Sequence, residues 1–171
     1  MESLHTTYAP VAQLGEQRTF HTDEESIVEV SMLNTHFRGE ITELQVAESF
    51  LEQGYQICKP MVSDCRYDFI ADINHRLYRI QVKTARVCNN GEYIEFSTQS
   101  THTNTKKTVY HTYSSEDVDY FATVYDGQCY LVPIDKIGSR SFKLRLKPTR
   151  NGQKTNINFA DEYRLENTFI K

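Results

Sequence analysis

The sequence predicts an α/β protein in which a mixed central β-sheet is flanked by helices, with an added basic strand near the C-terminus. Three observations lead to this prediction. One amphipathic segment with helical periodicity precedes several short segments rich in β-branched and aromatic residues. Turn sequences such as Asp126-Gly127 separate those segments, as expected between strands. A late segment, residues 141–147, alternates apolar and basic residues, which predicts a strand with one packed and one positive face.

Length and composition indicate one domain. A chain of 171 residues can bury a substantial core. It has no apolar run of the roughly 18 residues that a membrane span needs, and no leader typical of secretion. Its four cysteines lack the paired spacing of disulfide or zinc sites, so we expect free thiols. Together these features predict a cytoplasmic protein without membrane association.

The first 31 residues differ from the rest of the chain. They show no sustained periodicity, and their six acidic residues against the single Arg18 give a charge of −5. Residues 11–17 also permit a back-translation with complementary tetranucleotides, like the D-arm of a transfer-RNA gene. We therefore expect residues 1–31 to be disordered or foreign to the native domain, which would comprise residues 32–171 and begin near Met32.

A helix is predicted over residues 39–53, with Gly54 as its C-terminal stop. On a helical projection Glu43 falls inside the apolar arc, where a carboxylate costs free energy unless something there requires it. The predicted apolar face consists of Ile41, Leu44, Ala47, Phe50 and Leu51.

Two strands after this helix bring reactive side chains together. They are predicted over residues 67–72 and 77–83, joined by a turn at residues 74–76 and preceded by a shorter strand at 55–59. Strand side chains alternate between faces, so Gln81 and Lys83 project to the same side. Asp68 lies on the neighbouring strand. A carboxylate, an amide and an amine are therefore expected at one place.

The second half of the chain is predicted to add strands and a basic surface. Strands are expected at residues 93–97 and 141–147, and a hairpin at residues 120–133. The polar stretch 98–115 is predicted to be a long connection that is either functional or disordered. Residues 136–154 contain seven basic residues and no acid, which is typical of a surface that faces phosphate groups.

The order of these side chains suits metal-dependent hydrolysis of phosphodiesters. Oxygen ligands hold Mg²⁺, which polarises the phosphate and generates hydroxide, while a lysine balances the developing negative charge. With Gly39-x-x-x-Glu43, Asp68 and Gln81-Val82-Lys83 in this order, the chain resembles the PD-(D/E)XK nuclease superfamily. It is most similar to the branch of cyanobacterial group I intron-encoded homing endonucleases, whose third motif is Gln-x-Lys. The resemblance covers roughly residues 36–135.

This resemblance implies a restriction-endonuclease-like core and a role for each motif residue. Asp68 is expected to be the principal metal ligand, Glu43 a further ligand or a supporting carboxylate, and Lys83 the residue that positions water. Gln81 replaces the usual acid of the superfamily, so its amide oxygen would ligate without charge and one metal ion is expected rather than two. The implied cofactor is Mg²⁺, with Mn²⁺ as a possible substitute.

The resemblance further implies a site-specific endonuclease of the homing type that acts on double-stranded DNA. Because each chain has a single catalytic cluster, cutting both strands requires a homodimer or homotetramer. Two other functions fit the same motifs: a Holliday-junction resolvase-like nuclease, and a catalytically decayed DNA-binding module. Residues expected to contact DNA phosphates are Lys106, Lys107, Lys143, Arg145, Lys147 and Arg150.

Overall fold

A computed structural model of the chain describes residues 35–62, 64–103, 107–149 and 151–169. The predictions made for residues 1–31 and for the start of the domain near Met32 concern residues outside these ranges. The described part contains two α-helices, named α1 and α2, and strands β1 to β10, together with two short 3₁₀ helices at Ile134–Lys136 and Ala160–Tyr163. Their bounds are α1 Thr35–Glu52, β1 Gln56–Cys58, β2 Phe69–Ile73, β3 Arg76–Val82, β4 Arg86–Cys88, β5 Tyr93–Ser97, β6 Gln99–Thr103, β7 Thr108–Thr112, β8 Tyr120–Tyr125, β9 Gln128–Pro133, β10 Ser141–Arg145 and α2 Leu165–Thr168.

Helix α1 begins four residues earlier than predicted and ends before Gly54, whose positive φ of 78° suits a helix stop. The predicted apolar face is wrong for three residues. Ala47 and Phe50 are buried, but Ile41, Leu44 and Leu51 are exposed in this chain. The helix instead packs through a narrower row at spacing four, formed by Thr42, Val46 and Phe50 together with Ala47, because a flat sheet contacts only one stripe of a helix.

The central sheet is mixed, as predicted. Its strand order is β1-β2-β3-β8-β9, with β3 and β8 parallel and the other neighbouring pairs antiparallel. Antiparallel neighbours need only tight turns, and Asn74 and His75 supply the turn between β2 and β3 with positive φ angles of 54° and 64°. The long crossover from β3 to β8 contains β4 to β7, whereas β10 follows β9 in the chain.

Two hydrophobic cores lie on opposite faces of this sheet. On one face, α1 packs Val46 and Phe50 against Phe69 and Ile80. On the other face, the three-stranded sheet β10-β5-β4 packs Phe96 and other residues against Phe121. The α/β class and the mixed sheet are therefore confirmed, with α1 covering one face and a second sheet covering the other. The added basic strand is β10, which pairs antiparallel with β5.

The polar stretch 98–115 is more ordered than a loop. Strands β6 and β7 pair antiparallel as a two-stranded ribbon, with Gln99 opposite Thr112 and Thr103 opposite Thr108. The sequence signal is weak because Thr has high β-propensity but the segment lacks the apolar alternation of a packed strand. No helix in the described residues has the length and apolar character to cross a bilayer.

Candidate active site

The end of β3 and the middle of α1 are fixed against each other. Thr42 is buried, and its Oγ1 lies 3.0 Å from Oγ1 of Thr84, just beyond β3. The backbone N–H of Lys83 donates to the carbonyl of Ala122 at 2.9 Å, which extends the β3–β8 pairing by one residue. These contacts hold Glu43, the next residue of the helix, above the strands that carry Asp68 and Lys83.

Asp68 lies immediately before β2, and both its backbone and its side chain form hydrogen bonds with β3. Its N–H donates to the carbonyl of Ile80 at 2.9 Å, while its Oδ2 accepts from the Val82 N–H at 2.5 Å and from Gln81 Nε2 at 2.6 Å. The other oxygen, Oδ1, accepts no hydrogen bond from the described residues. The carboxylate is therefore held in one orientation with one oxygen left for a ligand.

Gln81 is buried beside Asp68, and its predicted role as a metal ligand stays a prediction. Its amide nitrogen, not its oxygen, faces Asp68, and it also donates to the carbonyl of Val82 at 3.3 Å. The amide is a neutral donor to Asp68 here, and rotation of its terminal group would be required to turn Oε1 toward a shared cation.

Glu43 and Asp68 line the same cleft, which has a volume of about 400 Å³. The loop after β1 forms its rim, and Lys59 from that loop lies with its Nζ 3.5 Å from Oε2 of Glu43. Neither Lys59 nor the rim was expected from the sequence, since nothing distinguishes this lysine from an ordinary surface residue.

Both carboxylates have pKa values above their ordinary range. Burial is the main cause of the raised pKa of Asp68, and hydrogen bonds from Val82 and Gln81 and the charge of Lys83 only partly oppose it. Burial likewise raises the pKa of Glu43, assisted by the negative charge of Asp68 and opposed by Lys59. Two partly buried acids, one of which raises the pKa of the other, form a place where a cation is favoured.

Lys83 is partly buried, and its amine contacts an aromatic residue that no sequence pattern distinguishes. Nζ donates to Oη of Tyr113 at 3.3 Å and lies 5.1 Å from the centroid of the same ring. Tyr113 follows the last residue of β7. The amine thus lies between the Asp68 carboxylate, whose charge it compensates in part, and the base of the β6–β7 ribbon.

The cleft fits a hydrated divalent cation. Within the described ranges, no three or more His, Cys, Asp or Glu side chains gather as a metal site. The donor set is two carboxylates and, after rotation, one amide oxygen. Mg²⁺ commonly binds through one or two carboxylates while it keeps several waters, so this donor set matches its chemistry.

The predicted phosphate-binding residues are only partly available. Lys143 is exposed on the outer face of β10, 5.1 Å from the Tyr93 ring centroid. Arg145 is paired with Glu92 at 3.4 Å, and Lys147 Nζ donates to the Asn90 carbonyl at 3.3 Å. Lys107 is exposed at the start of the segment that enters β7, whereas Lys106 and Arg150 lie outside the described residues.

Comparison with known proteins gives the family and the fold of the chain. The family model for PD-(D/E)XK endonucleases matches residues 33–166. Among solved structures, the bacterial homing endonuclease I-Ssp6803I superposes with a TM-score of 0.62 at 23% identity, over 77% of this chain and 89% of that one. This likeness establishes the restriction-endonuclease-like fold. No curated protein matches the chain in sequence.

Proposed function

The chain belongs to the PD-(D/E)XK endonuclease family, and from that premise we propose that it is a Mg²⁺-dependent DNA endonuclease that cuts double-stranded DNA at specific sites. The observation that carries the proposal is the cleft shared by Glu43 and Asp68, with the Lys83 amine on the adjacent strand close enough to compensate the Asp68 charge. Mn²⁺ is expected to substitute for Mg²⁺, because it accepts the same oxygen ligands.

Each residue of the cleft has a separate task in this proposal. Asp68 would hold the cation, and Glu43 would contribute a further oxygen or bind a water of the cation. Gln81 keeps Oδ2 of Asp68 oriented and would supply an uncharged oxygen if its amide rotated. The chemistry that Mg²⁺ would supply when bound is polarisation of the phosphate and acidification of a water. Lys83 orients the attacking water and balances the negative charge that builds on the phosphate oxygens.

Substrate binding is assigned to two surfaces. The β6–β7 ribbon, formed by residues 99–103 and 108–112, is a two-stranded element of the kind that a DNA major groove admits, and its sequence is rich in polar residues that could contact base edges. Phosphate contacts are assigned to the basic residues named above, chiefly Lys107, Lys143 and Lys147. The homing type of activity is supported by the fold shared with a bacterial homing endonuclease.

We assign the working protein to a homodimer or homotetramer in the cytoplasm. The described residues form a single carboxylate cleft per chain, and hydrolysis of both strands of a duplex then needs at least two copies. The four cysteines are free, as in a reducing compartment. Light scattering of the purified protein, with and without duplex DNA, measures the mass that this assignment requires.

The decisive experiment removes the Lys83 amine. Lys83→Ala is expected to lower the cleavage rate of a random-site duplex library by about 10²- to 10³-fold while duplex affinity changes little, because the amine acts on the transition state. The matched control is Arg76→Ala, which removes an exposed cation at the opposite end of the same strand, β3. Sequencing of the cut ends identifies the target.

Cleavage assays that add four-way junctions to the duplex substrates separate the alternatives. Preferential cutting of four-way junctions over linear duplex would favour a junction resolvase. Duplex binding with no Mg²⁺- or Mn²⁺-dependent cutting of any DNA by the native protein would favour a decayed binding module and contradict the proposed enzyme.

A further inference from the structure

We propose that Tyr113 is a positioning residue for Lys83, and that Arg66 makes this positioning depend on how the β6–β7 ribbon is seated. The inference rests on the proposed function, because Lys83 matters to hydrolysis only in that site. It adds two residues outside the family motifs and a physical connection between DNA engagement and the catalytic amine.

Tyr113 is a rigid hydrogen-bond acceptor for a flexible donor. A lysine amine sits on a four-carbon stem with several rotatable bonds, so its position is set by what it contacts. Here the amine contacts both Oη of Tyr113, at 3.3 Å, and the face of the ring, with its centroid 5.1 Å away. The ring itself is fixed by an edge-to-face contact with fully buried Phe121, at 5.2 Å and 88°.

Arg66 lies on the same ring and binds both strands of the ribbon. Its Cζ is 4.2 Å from the Tyr113 ring centroid. Nη1 donates to Ser100 Oγ of β6 at 3.1 Å, and Nη2 donates to the Thr112 carbonyl of β7 at 2.8 Å. Nε donates to Oδ1 of Asp117 at 3.3 Å, which anchors the guanidinium outside the ribbon. A planar group with five donors is suited to such a multiple attachment, and a lysine is not.

The covalent arrangement completes the connection. Tyr113 directly follows the last residue of β7, and Arg66 lies two residues before Asp68. A movement of the ribbon therefore displaces the Tyr113 ring unless Arg66 holds it, and a displaced ring withdraws the acceptor from the Lys83 amine. The ribbon is assigned to a DNA groove. Duplexes whose groove does not fit the ribbon are therefore expected to be cut slowly even when they bind.

The first test is Tyr113→Phe, which keeps the ring and its contacts with Phe121 and Arg66 but deletes the acceptor Oη. We expect kcat to fall by about three- to tenfold with KM and duplex affinity unchanged, as for the loss of one hydrogen bond. Tyr125→Phe is the matched control elsewhere in the fold. A parallel fall in thermal stability and in DNA affinity, without a selective loss of kcat, would instead indicate a merely structural role and overturn the inference.

The second test reads the position of Lys83 without any cleavage. The ring current of Tyr113 shifts the NMR resonances of the Lys83 ε-methylene group, so Tyr113→Leu is expected to abolish this shift and Tyr113→Phe to keep most of it. Arg66→Met is expected to change the same resonances and to lower kcat by about tenfold, because Arg66 acts on Lys83 through the Tyr113 ring that both side chains contact. Arg66→Lys keeps the positive charge that Arg66→Met removes, but it should have the same lowered kcat as Arg66→Met.

These outcomes are distinct from failure of the proposed function. If the native protein cuts DNA and Lys83→Ala does not, but Tyr113→Phe retains full kcat and Arg66→Met leaves the Lys83 resonances unchanged, the positioning role is wrong and the nuclease assignment stands. If the native protein cuts no DNA while Tyr113→Leu and Arg66→Met both change the Lys83 resonances as expected, the geometric connection stands and the enzyme assignment fails.

Discussion

The pKa values of acidic side chains are shifted in opposite directions in the cleft and on the outer face of the three-stranded sheet. On the outer face, Glu95 accepts from Ser141 Oγ at 2.6 Å and from Arg86 Nη2 at 2.7 Å, and these partners hold its pKa below the ordinary value. In the cleft, burial dominates and holds the pKa of Glu43 and of Asp68 above the ordinary values.

This difference distinguishes acids that stabilise the fold from acids that could bind a ligand. Acids whose partners fully satisfy them stabilise the fold and have no remaining capacity for a ligand. Acids that are buried together with incomplete compensation destabilise the resting protein, and that free energy is recovered when a cation binds. The comparison therefore favours the cleft over the basic surface as the place where a cation would bind.

The largest expected effect comes from Asp68→Asn. The substitution removes the charge that holds the cation, so cleavage should fall by about 10³-fold and Mg²⁺ binding measured by calorimetry should be lost. Glu95→Gln is the matched control, since it removes an acid of the outer face. If both substitutions affected metal binding equally, the distinction between the two regions would be wrong.

Gln81→Glu sharpens the comparison by adding a third acid to the cleft. Because metal affinity rises with the number of charged ligands, we expect the Mg²⁺ concentration for half-maximal cleavage to fall by about tenfold. The metal-free protein should melt at a lower temperature, because a carboxylate would replace the amide that now donates to Asp68. An unchanged Mg²⁺ requirement would place residue 81 outside the metal's coordination.

Lys143→Ala tests whether any exposed cation of β10 contacts DNA. Loss of one phosphate contact should reduce the slope of log affinity against log salt by about one and weaken binding several-fold at moderate salt. The matched substitution is Arg86→Ala on the same outer face, whose partner is Glu95. Equal salt slopes for the native protein and Lys143→Ala would exclude this lysine from the interface.

The smallest effects are on stability, and they should have opposite signs in the two regions. The pKa of Asp68 is raised in the folded protein above its ordinary value of 3.8. Ionisation of Asp68 therefore lowers the free energy of unfolding as the pH rises from 3.8 through the folded-state pKa. Metal-free Asp68→Asn should therefore melt higher than the native protein at neutral pH, and the gain should disappear in acid. Thermal unfolding followed by circular dichroism at several pH values measures this gain.

Glu95→Gln should show the reverse. The lowered pKa of Glu95 means that its charge contributes stability above its ordinary value of 4.5, and this contribution is lost as pH falls through the folded value. The variant should melt a few degrees lower at neutral pH, with a deficit that shrinks in acid. A deficit independent of pH would show that shape rather than charge explains the loss.

The proximity of Asp68 and Gln81 was predictable from short-range geometry. Gln81 lies in β3, Asp68 directly precedes β2, and a two-residue turn pairs these strands, so the two side chains meet. The β6–β7 ribbon was missed because its strands bury no continuous apolar face, and the period of hydrophobic residues is the main signal that reveals a strand.

The sequence alone determined the α/β class, the order of the motif residues and their common side of the strands, because these follow from local periodicity and turn chemistry. Only the tertiary structure decided which side of α1 packs, that Lys59 lies beside Glu43, that Gln81 donates to Asp68 and that Tyr113 holds Lys83. Those contacts join segments far apart in the chain, and their free energies depend on burial and neighbouring charge, which no local pattern records.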